Sequence, residues 1–156
     1  MSKYIFITSN FELQEVDMTN SKTITALEAK SKGIRPPNWC TWEEIDTDLE
    51  ILYYENEDDI NNIHIYRDYG WEDELTCCKD KKYIYNVMCS NDKKRAEQIL
   101  NYIREINLKG SIYICSIWAG DKVDIVPKEI YINSLSINDI LSILDNFNKC
   151  IKVLPN

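Results

Sequence analysis

The sequence predicts a single α+β domain over residues 1–156, built as a mixed, mainly antiparallel β-sheet with two or three helices packed on one face. Three observations lead there. Short runs rich in β-branched and aromatic residues recur between polar or turn-forming stretches, at 3–9, 49–55, 63–68, 83–88 and 112–118. Two longer segments, 91–108 and 137–147, repeat apolar residues at the i, i+3, i+4, i+7 spacing of a helix with one buried stripe. A chain of 156 residues is one domain's length and buries roughly two-thirds of its unfolded surface, so it needs no staple to fold.

Taken in order, Lys3–Ser9 reads as the first strand. Thr23–Lys32 reads as a short helix, with Thr25 and Glu28 as a capping box and Gly33 where a left-handed residue closes the end. Pro36-Pro37 bars its continuation, because neither ring can donate a backbone hydrogen bond. Leu49–Glu55 and Ile63–Asp68 read as strands, Tyr69–Lys81 as mostly loop, and Tyr83–Met88 as a strand apolar on both faces, hence central. Ser90 or Asn91 caps the next helix, whose stripe is Ala96, Ile99, Leu100, Ile103 and Ile106, and Gly110 ends it. Strand 83–88, this helix and strand 112–118 form a crossover unit, so the two strands should run parallel. Gly120-Asp121 suggests a two-residue hairpin turn with Lys122–Val126 as the returning strand. Ile130–Ile132 and Cys150–Leu154 add short strands. Between them, Ser136 and Asp139 cap a helix that buries Ile137, Ile140, Leu141, Leu144 and Phe147.

Composition narrows the function. Lys plus Arg is 18 and Asp plus Glu is 26, a formal net charge of −8, which disfavours a general nucleic-acid binder. No apolar run nears the ~18 residues of a membrane span. The opening Met1-Ser2-Lys3-Tyr4-Ile5-Phe6-Ile7 is too short for a secretory core, so a cytoplasmic protein is expected.

That expectation governs the cysteines. Cys40, Cys77, Cys78, Cys89, Cys115 and Cys150 are even in number, yet cytosolic thiols stay reduced, and Cys89 and Cys115 sit in apolar strand-like runs as small hydrophobes. No Cys-x-x-Cys occurs, so zinc-ribbon and thioredoxin spacings are absent, and the single histidine, His64, reads as one polar tooth of a strand. No metal and no cofactor is expected. A calcium loop fails too: Asp46, Asp48, Glu50 and Glu57 match positions 1, 3, 5 and 12, but Ile51 stands where the turn demands glycine. No Gly-rich phosphate loop, Gly-x-Ser-x-Gly elbow or His-Glu-x-x-His appears, and no catalytic residue is assigned.

The charge is lopsided. Residues 41–80 hold fourteen acids against Arg67 and Lys79, net −12, while the rest of the chain holds sixteen bases and twelve acids, net +4. Large aromatics interleave with the acids. Exposed Trp rimmed by charge is the composition of a protein-binding surface. The expected contacts are Trp39, Trp42, Glu43, Glu44, Asp46, Asp48, Asp68, Trp71, Glu72 and Asp73. Helix 91–108 offers an opposite patch, Lys93, Lys94, Arg95 and Arg104, suited to an acidic partner or to weak self-association. The leading expectation is an interaction module of inhibitor or immunity type that binds a basic protein through region 39–74, with no nucleic acid or membrane involved. The alternative is an enzyme or small-molecule domain with a pocket near Trp39, Trp42 or Trp71.

Overall fold

The computed structural model describes residues 2–121 and 124–156. The chain forms two compact units, one from the residues up to Met18 together with Asn61–Asn156, the other from Thr19–Ile60. The architecture is α+β, with three helices and mostly antiparallel strands.

The first unit is organised by β1 (Lys3–Ser9), whose alternating side chains serve two faces. Ile5 and Ile7 point into one core cluster and Phe6 into another, with Tyr4 packed beside Phe6. β1 pairs antiparallel with β6 (Tyr83–Met88) on one side and with β7 (Ile112–Trp118) on the other. β6 and β7 therefore run in the same direction, as the crossover pattern requires, but β1 is inserted between them as in a split β-α-β unit. β5 (His64–Asp68) and the two-residue β2 (Val16–Asp17) extend the sheet beyond β6. Beyond β7 come β9 (Lys149–Leu154), antiparallel, and β8 (Lys128–Tyr131), parallel to β9.

Two helices cover one face. α2 (Lys93–Glu105) buries Ala96, Ile99, Leu100, Tyr102 and Ile103, and α3 (Ile137–Asp145) buries Ile140, Ile143 and Leu144. These meet Ile5, Ile7, Ile65, Val87, Ile112, Ile114, Ile151 and Val153 of the sheet in a single cluster. Each such side chain gains roughly 1.5–3 kcal/mol by leaving water. The opposite face, with Phe6, Ile84, Tyr113, Cys115, Ile117 and Cys150, is roofed by Leu75, Cys78 and Trp71 from the 69–82 loop. Ser136 and Asp139 form the expected capping box of α3.

The structure corrects several sequence expectations. Asp92, one residue past the expected caps, accepts from the Arg95 N–H, and α2 stops at Glu105 because Ile106 is already extended. Arg95 is buried rather than outward, donating to the Asn61 carbonyl at 3.0 Å and pairing with Asp92 at 3.4 Å. Phe147 lies past the end of α3, 58% exposed, with its ring 5.2 Å from Trp118. The turn after β7 closes one residue early. Asp121 N–H returns to the Trp118 carbonyl at 3.0 Å, which puts Gly120, at φ +90°, in the second central position. That is type II turn geometry, and residues 124–126 form no strand. Lys122 and Val123 of the expected returning strand lie outside the described residues.

The second unit pairs β3 (Lys22–Thr25) antiparallel with β4 (Glu50–Tyr53). The expected helix begins later than its pattern suggested, because Thr23–Thr25 are strand, leaving α1 as Ala26–Ser31. Its capping box of Thr25 and Glu28 forms as expected. Gly33, at φ +72°, lets Ile34 N–H reach the Ala29 carbonyl at 3.1 Å and its own N–H reach Lys30 at 3.0 Å, a Schellman closure.

Candidate functional site

The residues expected to contact a partner divide between the two units. Trp39, Trp42, Glu43, Glu44, Asp46 and Asp48 belong to the second, and Asp68, Trp71, Glu72 and Asp73 to the first. In the second unit Trp39 follows Pro36-Pro37 and stands 83% exposed. Trp42 is half-buried because its indole N–H donates to the Ile34 carbonyl at 2.9 Å. Three acids are fixed by local structure. Glu43 pairs with Lys30 at 2.8 Å, which holds its carboxyl below the usual range; Glu44 accepts from Thr41 N–H at 2.7 Å; Asp46 accepts from Asp48 N–H at 3.0 Å. Residues 19–60 carry four bases and ten acids, net −6. Leu27, Leu49, Leu52 and Ile60 of the same unit are also exposed.

In the first unit Asp68 and Trp71 perform structural tasks. One Asp68 oxygen accepts from the Trp71 indole and from the Asn86 amide, both at 3.1 Å, and the other accepts from Tyr69 N–H at 2.8 Å. The Trp71 ring thereby rests 4.6 Å from Tyr4 and 4.9 Å from Phe6, over the sheet. Glu72 and Asp73 are exposed beside it. Five surface clefts of about 280 to 590 Å³ have none of Trp39, Trp42 or Trp71 in their walls.

The chemistry that spacing along the chain concealed lies beneath Trp71. Pairing of β7 with β9 sets Cys115 directly opposite Cys150, Cα atoms 4.1 Å apart, and the two form a disulfide, contrary to the expectation that every thiol is reduced. A chain of turn hydrogen bonds, Leu75 N–H to Trp71 and Cys78 N–H to Leu75, folds Cys77 and Cys78 down onto this pair. Sulfur separations are 3.3 Å for Cys77–Cys78, 3.6 Å for Cys77–Cys115 and 3.3 Å for Cys78–Cys115. The Cys78 thiol shares its proton with Cys77, which lowers the pKa of Cys77 below an ordinary thiol's. The same bond, together with burial, pushes Cys78 well up. Cys89, away from the cluster, is raised by burial to about 11. The signal in the sequence was only the parity of the count and the adjacency of Cys77 and Cys78. The partners come from two different strands. No family model, no curated protein and no solved structure matches this chain.

Proposed function

We propose that the protein is a binding module whose second unit docks a basic protein through the acidic, Trp39-bearing surface, in the manner of an inhibitor or immunity protein. The observation that carries this reading is Trp39 itself, 83% exposed on a proline-stiffened loop in a unit of net charge −6. A large indole left in water costs hydrophobic free energy that a partner's pocket recovers, and Trp is among the residues that dominate such interfaces. The ion pair and caps that fix Glu43, Glu44 and Asp46 present carboxylates already in place, which lowers the ordering cost of association. Like-signed charge around an aromatic anchor speeds encounter with a cationic partner and makes it salt-dependent.

The test places a photo-crosslinking amino acid at exposed Asn38, beside an intact Trp39, in cells that make the protein and identifies the adduct by mass spectrometry. The partner so identified is then purified uncrosslinked and its binding to the wild-type protein measured by calorimetry at low and at physiological salt. A basic partner is expected, with Trp39→Ala weakening it by at least about thirty-fold, the equivalent of ~2 kcal/mol. Asp48→Lys with Glu50→Lys should weaken it at low salt while leaving the melting temperature within a few degrees. An acidic partner, no discrete adduct, or affinity indifferent to both changes would overturn the proposal.

A further inference from the structure

The sulfurs of Cys77, Cys78, Cys115 and Cys150 lie within 4.8 Å of one another, the one group of this kind found among the described residues. We propose that they form a tetrathiolate site for a single zinc ion, filled once the Cys115–Cys150 disulfide has been reduced. Four sulfurs around zinc at ~2.3 Å, placed tetrahedrally, stand about 3.8 Å apart. The separations of 3.3, 3.3 and 3.6 Å among Cys77, Cys78 and Cys115 need only small outward shifts to reach that arrangement. A disulfide alone accounts for Cys115 and Cys150. It leaves unexplained why two further thiols are held against it at van der Waals distance.

The surroundings carry the second observation. The Thr8 hydroxyl is fully buried and has no hydrogen-bond partner, and Thr8 shares the wall of one cleft with Cys78. A hydroxyl without a partner in an apolar core is destabilising unless it has an acceptor to serve. A metal-bound thiolate is such an acceptor, and outer hydrogen bonds of this kind orient and tune thiolate ligands. Four thiolates on one divalent ion leave two excess negative charges, and cations stand nearby. Lys81, its side chain only 5% exposed, lies 5.1 Å above the Tyr113 ring and pairs with the more exposed Asp80 at 3.5 Å, and it lines a cleft of about 280 Å³ with Lys79, Glu72, Asp73, Thr8 and Cys78. Of the four cysteines Cys78 lines that cleft, which would be the ion's way in.

Loading has two balanced steps. A dithiol reductant delivers two electrons and two protons to the Cys115–Cys150 bond, which breaks into two thiols as the reductant closes its own disulfide. Zn2+ then takes the place of the four thiol protons, which leave to the buffer. Oxidation of Cys115 and Cys150 reverses this by removing two of the four ligands.

The experiment reduces the full chain with dithiothreitol under anaerobic conditions, removes the reagent and titrates Co2+ as an optical probe. One Co2+ per chain is expected, with the visible bands and sulfur-to-metal charge transfer of tetrahedral thiolate coordination, displaced by one equivalent of Zn2+. Cys77→Ser and Cys115→Ser should lose these bands, whereas Cys40→Ser and Cys89→Ser should keep them. Thr8→Val should weaken binding by about 10–100-fold without changing the band positions. Because Cys77 is half-exposed, its Ser variant is expected to retain the circular dichroism of the wild type, which separates ligand loss from misfolding. Zn2+ should raise the melting temperature of the reduced wild type and not of Cys77→Ser. Octahedral bands, no uptake after reduction, or binding that survives Cys77→Ser would each overturn the proposal.

Discussion

Asp68 is expected to be a latch for the loop that carries two of the four clustered cysteines, and Asp68→Ala tests this. Its carboxylate accepts three hydrogen bonds, from Tyr69 N–H, the Trp71 indole and the Asn86 amide. Hydrogen bonds to a charged acceptor contribute about 1.5–3 kcal/mol each when buried, but Asp68 is only half-buried and water replaces part of what is lost. Asn86, 5% exposed, loses its acceptor with little water to replace it. Together these give a loss of about 2–4 kcal/mol. For a chain of this size each kcal/mol lowers the melting temperature by ~2–4 °C, so a fall of about 4–16 °C is expected in a calorimetric scan. Freed from Asp68, the indole should leave Tyr4 and Phe6, shifting tryptophan emission to the red. Cys77 should then react faster with a maleimide. Asp73→Ala, an exposed neighbour, is the control and should change stability by no more than ~0.5 kcal/mol. If Asp68→Ala melts with the wild type and its cysteine labelling is unchanged, the latch is wrong and Asp68 is an ordinary surface carboxylate.

Two further outcomes follow from the packing and caps of α3. Ile140→Ala should cost about 2–5 kcal/mol by urea unfolding, because Ile140 is fully buried, whereas Phe147→Ala, on a half-exposed ring, should cost less than ~1.5 kcal/mol; equal effects would contradict the helix boundary at Asp145. Ser136→Ala should remove about 1 kcal/mol at neutral pH. Burial alone would raise the pKa of Asp139, but hydrogen bonds from Ser136 and Lys128 outweigh it and hold the carboxyl below its ordinary value. A carboxyl depressed in the folded state stabilises above its unfolded pKa, and that contribution is lost as pH falls through the folded value. Melting temperature should therefore drop less steeply with acidification below about pH 4 in Ser136→Ala than in the wild type, and parallel acid profiles would refute the coupling.

The sequence was most informative where one local rule acts alone. Strand 83–88 and the capping boxes at Thr25 and Ser136 depend on side chains within a few residues, and they stand where their patterns put them. The pattern failed where a distant partner intervened. The expected helix takes in Thr23–Thr25 although Thr, Ile and Thr are β-branched and favour strand, and β4 supplies the edge that lets them pair. Arg95 looks like one cation of a solvated helix face until the Asn61 carbonyl and Asp92 offer a buried place for its guanidinium. The lopsided charge was legible, but the acidic stretch 41–80 crosses a unit boundary after Ile60, so its first part belongs to one unit and its second part to the other.

The sulfur cluster shows why a site can escape the sequence while the same residues specify it. Strand side chains alternate with a period of two, so the register that buries Ile114 against Ile151 on the helix-covered face must turn Cys115 and Cys150 together onto the other. A slip of one residue would expose the isoleucines to the wrong face and separate the cysteines at once. The apolar core on one side of the sheet thus fixes the sulfur pair on the other, and Cys77 and Cys78 need only a short loop anchored at Asp68 to join it. Nothing in Cys-to-Cys spacing encodes this. It is encoded in the isoleucines.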